Sequence, residues 1–547
     1  MNSTLRLLLG GLGLLVTLSS LHSQNPPAAP RVRQPITKLE NPITAVYLQA
    51  HLRPSTPRLI LTPENEAVLK AKLKSDPLVQ RYYRYLQNDA VELLRKPPAR
   101  HALVGFRMPV AGVTQKTLGI LSAVYRIDRD PAVLARIDAE LRAVCAFPDW
   151  NPRHFLDVAQ MSVAVALAID WTGDALPPAT VALAKTALIE KALRPSYDET
   201  GERMQWIRGN NNWNSVCHGG MVAAALAVAD VDPELAAKTI SRALEYLPGS
   251  LKEYAPDGAH PEGPSYWRFG TSFSVLAANV LETALGRDFG IAASPGFMAS
   301  ADFRLQTTAP SGESFNFADS DSRSDGETSV LLAWFAARTG DSLYLDRPFF
   351  ENPTHAERLA GLGLVWLSQF TEQKRGTLAT AWRGRGTNPL AVFRSAAEDP
   401  SGLYLAIKGG SAQISHGNMD AGTFVFELNG VRWVVDPGNQ AYEPLNRMGF
   451  PLSDYSQASE RWSLLTKSNL GHSTVIVNQA RFNVTAPALI TEFDPGVTPS
   501  ATIDLSATLN GEVKSWQRRF VKENARSILI ADRFEPCLLY TSDAADE

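Results

Sequence analysis

The spacing of apolar residues changes once along the chain, and that change restricts the folds open to it. From about Thr62 to Thr371 they recur every three or four residues, the mark of amphipathic helices. Glu64–Lys74, Thr114–Tyr125, Asp157–Trp171, Ala179–Ala192, Gly219–Ala229, Pro233–Tyr246 and Ser272–Leu285 all read this way, punctuated by Pro, Gly, Asn and Asp. After about Arg375 the pattern shortens. Leu403–Lys408, Gly422–Leu428, Val431–Val435, Ser473–Val477, Ile490–Phe493, Thr502–Ala507 and Ser527–Ala531 are rich in β-branched and aromatic residues and read as strands. Asn429-Gly430 between two of them suits a type I′ hairpin turn. Successive helices without a strict repeat predict a layered helical array or toroid rather than a solenoid. The strands predict an antiparallel β-sandwich. The expected fold is multidomain α + β, an N-terminal incomplete (α/α) toroid followed by an antiparallel β-sandwich domain.

A chain of 547 residues exceeds one hydrophobic core, so several segments are expected. These are a signal peptide over 1–23, a lead-in over 24–57, the toroid over 58–372, a linker over 373–390, the β-domain over 391–536 and a foreign tail over 537–547. Arg6, the short apolar run Leu7 to Leu18 and the small residues Ser19, Ser20 and Ser23 carry the signal-peptide reading; a membrane anchor is its alternative. The expected location is periplasmic or secreted, with no membrane contact after cleavage. The tail CLLYTSDAADE reads as translated adapter DNA, which would cut the natural chain within the β-domain near Pro536. Cys145 and Cys217 lie in apolar helical contexts and read as buried thiols, with one disulfide as the alternative. With 53 basic and 56 acidic residues, no overall basic field points to nucleic acid or to a polyanion, which leaves room only for a local basic cleft.

Three segments could carry chemistry. In Asn210-Asn211-Asn212-Trp213-Asn214, followed by His218, one Asn suffices to cap the helix that follows. The remaining amides and Trp213 suit a polar ligand such as a sugar. A loop rich in Pro and Gly then leads through Glu262 to Tyr266 at a helix start, with Arg268 one turn on as a carboxylate clamp or a surface ion pair. The third segment brings His416, Asn418 and Asp420 close together, with Asp436 and His472 on strands that could neighbour them. That set reads either as a metal site or as hydrogen-bonded turn residues.

Taken together, DGAHPEGPSYWRFG, SHGNMDAGTFVFELNGVRWVVDPG and GHSTVIVN resemble the heparinase II/III-like polysaccharide lyases, from about Leu59 onward. The resemblance implies a toroid, antiparallel β-domains and a cleft between them. It implies cleavage of a uronic-acid polysaccharide by β-elimination, with Asn212, Tyr266 and His416 catalytic. Trp213 stands where some members have His. Candidate substrate-binding residues are Trp213, Asn214, His218, Glu262, Arg268 and Arg461. No cofactor is required by this chemistry. A structural Zn2+ would draw on Asn418, Asp436 and His472, where Asn418 replaces an imidazole and is the poorer ligand.

Removing the weakly acidic C5 proton of a uronate builds charge on its carboxylate. A positioned donor stabilises that charge by about 3 kcal/mol. A base and an acid each add roughly 10²- to 10⁴-fold. The expected partner is an acidic polysaccharide. Two other readings use the same segments: a glycoside hydrolase on uronides, with Asp257, Glu262, Asp319 and Asp321 as available carboxyls, and a non-catalytic glycan-binding relative.

Overall fold

Two helices that are apolar on every side set the centre of the N-terminal part. The computed structural model describes residues 36–198, 204–323, 325–396 and 399–536. The expectations for 1–23, for 24–35 and for the tail fall outside them.

The helices are α1 (Ala45–His51), α2 (Pro63–Ser75), α3 (Pro77–Leu94), α4 (Val110–Asp128), α5 (Pro131–Cys145), α6 (Phe155–Thr172), α7 (Pro178–Leu188), α8 (Asn212–Val228) and α9 (Pro233–Tyr246). They continue with α10 (Pro248–Leu251), α11 (Gly263–Leu285), α12 (Ser300–Gln306), α13 (Gly326–Thr339), α14 (Arg347–Glu351) and α15 (Ala360–Gln369). Nearly every residue of α6 and α8 is buried, so neither can lie at the surface. Of the described segments only 152–172 is long and apolar enough to cross a membrane, and 94% of its window is buried inside the toroid. Around this centre α4, α6, α8 and α11 pack in sequence, and α13 and α15 return the ring to α4. Gly219 and Gly220 permit the closest approaches. A Cβ on Gly219 would lie 2.6 Å from the Phe273 carbonyl of α11, and one on Gly220 would lie 2.6 Å from Cα of Ala159 on α6.

The outer helices are amphipathic. α9 buries Ala236, Ala237, Ile240, Ala243 and Leu244, a helical stripe. Asp-Pro pairs begin α3, α5 and α9, with Asp76, Asp130 and Asp232 capping the first turn and Pro at the first helical position. Cys145 and Cys217 are buried free thiols.

The β-domain holds β1 (Ala381–Gly384), β2 (Leu390–Arg394), β3 (Tyr404–Lys408), β4 (Phe424–Leu428), β5 (Val431–Val434), β6 (Leu489–Asp494), β7 (Ser500–Asp504), β8 (Val513–Lys522) and β9 (Ile528–Pro536). They form two antiparallel sheets, ordered β1-β2-β3-β4-β5 and β6-β7-β8-β9. A short helix, α16 (Tyr442–Arg447), lies between the sheets in sequence. β2 and β3 are buried on both faces because they sit between two cores. Leu390, Val392, Tyr404 and Ala406 join the toroid core, while Ala391, Phe393, Leu405 and Ile407 join the core shared with the second sheet. This is the toroid followed by antiparallel sheets that the apolar pattern predicts.

Details differ. The segment read as a linker contains β1, whose Trp382 packs on the toroid core. Ser473–Val477 is irregular rather than a strand; the Ser473 hydroxyl instead bonds the backbone of Phe424. The 45–51 part of the lead-in is helical. Asn429 and Gly430 both have positive φ, as the I′ turn requires.

Candidate active site

The asparagine run divides its labour. Asn211 is the cap of α8, its Oδ1 accepting from Trp213 N at 3.1 Å. That leaves Asn212, 2% exposed, to face the neighbouring loop. Its backbone N–H donates to Glu262 at 3.0 Å, and its Nδ2 donates to the same carboxylate at 3.1 Å and contacts His416 Nε2 at 3.3 Å. Asn214 is buried and donates to the carbonyls of Trp206, Ile207 and Tyr246. Burial pushes the Glu262 carboxyl above its ordinary range, against the opposing pull of His416, Ser415 and Asn212.

Tyr266 sits in the first turn of α11, half-buried, and its ring lies flat on that of His416, with centroids 3.6 Å apart and planes 16° from parallel. His416 comes from the opposite side, on the loop between β3 and β4. Its backbone is left-handed, with φ 62. That conformation costs a non-glycine residue about 1–3 kcal/mol and needs surrounding structure to hold it. The hold is visible. Tyr455 Oη accepts from His416 N at 2.8 Å, and the fully buried Arg461 donates to Gly417 O at 2.9 Å and Asn418 Oδ1 at 3.2 Å.

Behind the imidazole is Asp319, on the loop between α12 and α13. His416 Nδ1 lies 3.2 Å from Asp319 Oδ2 and 3.2 Å from Tyr442 Oη, and Tyr442 also donates to Asp319. Arg461 lies 3.4 Å from the same carboxylate, and Lys467 is ion-paired with it. Burial alone would raise Asp319, but His416, Arg461 and Lys467 together hold it well below the usual carboxylate range. A carboxylate fixed as an anion favours the Nδ1–H tautomer and leaves Nε2 as the reactive nitrogen. Burial, followed by the charge of Asp319, pushes the Tyr266 hydroxyl above its ordinary value, while Tyr442 and Arg107 oppose the shift.

These groups open into a cleft of about 460 Å³ between the toroid and α16, lined by Arg107, Tyr266, Asp321, Asn439, Gln440 and Tyr442 among others. Asn212, Tyr266, Glu262, His416 and Arg461 thus converge. Trp213 is half-buried against the edge of the His154 ring, with centroids 5.0 Å apart. His218 is wholly buried, bonded to Ile207 O at 3.0 Å, and burial drives its pKa down to about 3. Arg268 faces inward, ion-paired with Asp325 and 3.5 Å from Glu327, which commits its fork away from the cleft. Arg461 acts behind His416 rather than at the cleft surface, because it is fully buried. Asp319 as the partner of His416, and Tyr442, Tyr455 and Lys467, carry no local sequence signal. They come from loops remote in sequence and meet only once the β-domain docks on the toroid.

His472 Nδ1 approaches Asp436 Oδ2 at 3.3 Å, and neither atom has an aligned hydrogen-bond partner among the described residues. Asn418, however, turns away: its Nδ2 donates to Ala318 O and its Oδ1 accepts from Arg461. Nearby Asp420 is paired with the Lys408 ammonium at 2.6 Å. Among the described residues no three His, Cys, Asp or Glu side chains gather to hold a metal. One imidazole and one carboxylate fall short of the four ligands zinc takes, so the residues present do not fit it.

Residues 391–537 match the family model for Heparinase II/III-like, C-terminal. The match is confined to this segment of the β-domain. His416, Arg461 and Tyr442 belong to it, whereas Asn212, Tyr266 and Asp319 come from the toroid. No curated protein matches the chain in sequence. Among solved structures, a heparinase III matches with 12% identity and TM-score 0.52, covering 91% of this chain and 80% of that one. Heparan sulfate lyase HepC from Pedobacter heparinus matches with 14% identity and TM-score 0.50, covering 90% and 79%. A heparinase III with methylated lysines matches with 13% identity and TM-score 0.49, covering 78% of this chain and 63% of that one, less than two thirds of its length. The first two likenesses place the toroid and the β-domain in a fold shared with those two structures.

Proposed function

We propose that this protein is a secreted or periplasmic polysaccharide lyase that cuts a uronic-acid-containing polysaccharide by β-elimination. The observation that carries the reading is the imidazole of His416, stacked on Tyr266 and held between Asp319 at Nδ1 and Asn212 at Nε2. In this reading the Asn212 amide exchanges its contact with Nε2 for the uronate carboxylate and stabilises the charge that develops there. The same exchange frees the Nε2 lone pair to take the C5 proton. Tyr266, kept protonated by its raised pKa, gives its proton to the leaving glycosidic oxygen. The C5–H and C4–O bonds break, and a C4–C5 double bond forms.

Three of the four carboxyls available to a hydrolase are engaged elsewhere, which leaves Asp321 in the cleft. Asp257 is paired with Arg385, Glu262 holds Asn212, and Asp319 is locked to Arg461 and Lys467. A glycosidase needs one protonated and one free carboxyl flanking the bond.

The test is ultraviolet absorbance at the unsaturated-uronide band, with heparin, heparan sulfate, hyaluronan, chondroitin, alginate and bacterial exopolysaccharides as substrates. A rise with one of them that Tyr266→Phe abolishes supports elimination. New reducing ends without absorbance would replace it with hydrolysis.

A further inference from the structure

The wall of the cleft opposite α16 is a tight turn, 104–107, in which Val104 N donates to Arg107 O at 2.9 Å and Arg107 N to Val104 O at 3.2 Å. Polar groups in the toroid interior anchor this turn on both sides of Arg107. Asn151 Nδ2 donates to Phe106 O at 2.8 Å, and Met108 N donates to Asp157 Oδ2 at 2.7 Å. Asn151 and Asp157 are 5% and 4% exposed and bonded to one another at 2.7 Å, so the turn stands on a buried polar footing. Arg107 itself is exposed.

Its guanidinium lies 5.8 Å from the centroid of the Tyr442 ring and 5.8 Å from that of Phe106. No acidic side chain pairs with it among the described residues, although Asp321 and Glu443 share the cleft. The other arginine of the cleft, Arg447, is ion-paired with Glu443. A charged fork held over aromatic rings, on a fixed backbone and without a counter-ion, is prepared for a planar or tetrahedral anion. Tyr266 lines the same cleft, so the two side chains face one space.

We propose that Arg107 binds an anionic group, carboxylate or sulfate, on the sugar next to the one seated at Tyr266, and so restricts the cleft to acidic polysaccharides. This rests on the reading of the cleft as a polysaccharide site. It adds a specificity residue from the toroid's 104–107 turn to the groups that perform the chemistry.

The experiment is calorimetric titration of the Tyr266→Phe protein with size-defined unsulfated uronan oligosaccharides and sulfated heparin oligosaccharides. Arg107→Ala is expected to weaken binding about tenfold and to flatten its salt dependence, with Arg107→Lys in between. A loss on both ligands assigns the contact to a carboxylate, and a loss on heparin alone assigns it to sulfate. Arg142→Ala, an exposed arginine paired with Asp138 elsewhere, controls for loss of charge. Equal binding by the Arg107→Ala protein in every arm, or no binding of any acidic glycan, overturns the proposal. Arg107-dependent binding without turnover by the wild-type chain keeps it and removes the lyase reading. Turnover with Arg107-independent binding does the reverse.

Discussion

The rings of Tyr266 and His416 lie face to face at 3.6 Å although one belongs to a helix of the toroid and the other to a loop of the β-domain. Replacing Tyr266 with Phe keeps the stacked face and removes only the hydroxyl. Turnover should fall by about 10²- to 10⁴-fold. The melting temperature should fall by no more than a few degrees, since the hydroxyl loses its bond to Tyr442. Retained activity in the ultraviolet assay would remove Tyr266 from the chemistry.

Asp319 balances two buried cations. Asp319→Asn keeps its shape but leaves Arg461 and Lys467 uncompensated, a loss of about 3–5 kcal/mol in urea unfolding. Adding Lys467→Met should restore part of that stability. It should not restore turnover, because His416 Nδ1 would still lack its anion. Recovery of both together would reduce Asp319 to a charge-balancing role.

Acid should weaken the fold in two stages. His218 and His260 are buried with pKa values near 3, depressed by burial. Each is neutral in the fold and readily protonated once unfolded, so stability present above about pH 6.5 is lost as the pH falls from there toward 3. Asp319 acts lower. Its depressed carboxyl contributes stability above the unfolded value of about 3.9, lost as pH falls further toward its folded pKa. Urea midpoints measured across this range should show both stages, and Asp319→Asn should shrink the second, to which Glu327 also contributes. Asp170, raised to about 6 by burial, opposes the loss over the same range, so a profile unchanged by His218→Gln together with His260→Gln contradicts the histidine stage.

Zinc should be dispensable. With Asn418 bonded to Ala318 and Arg461, dialysis against a chelator should change turnover by less than about twofold, and metal analysis should find well under one zinc per chain. Loss of activity that added zinc restores would show that Asp436 and His472 recruit ligands beyond those found here.

The fold was largely legible because its signals are local. The all-apolar α6, the Asp-Pro helix starts and Asn429-Gly430 each act within a few residues. The Ser473 region misleads because its β-branched residues lie beside the sheet without joining it. In the site, Asn212, Tyr266 and His416 stand in recognisable segments. Asp319 and Tyr442 do not, since an Asp in a loop and a Tyr on a short helix gain meaning only from docking. Arg268 and His218 lie in suggestive stretches, but they turn inward to partners that helix periodicity alone does not reveal.

The left-handed backbone at His416 has a consequence for how this chain can change. The imidazole is aimed by a conformation that relaxes unless Tyr455 and Arg461 clamp it and the toroid presses Asp319 against it from behind. The aim of the imidazole therefore belongs to neither half of the molecule. On the lyase reading, a substitution far from the cleft that loosens the seam by about an ångström would abolish turnover while leaving both halves folded, and the two halves can diverge only as a matched pair.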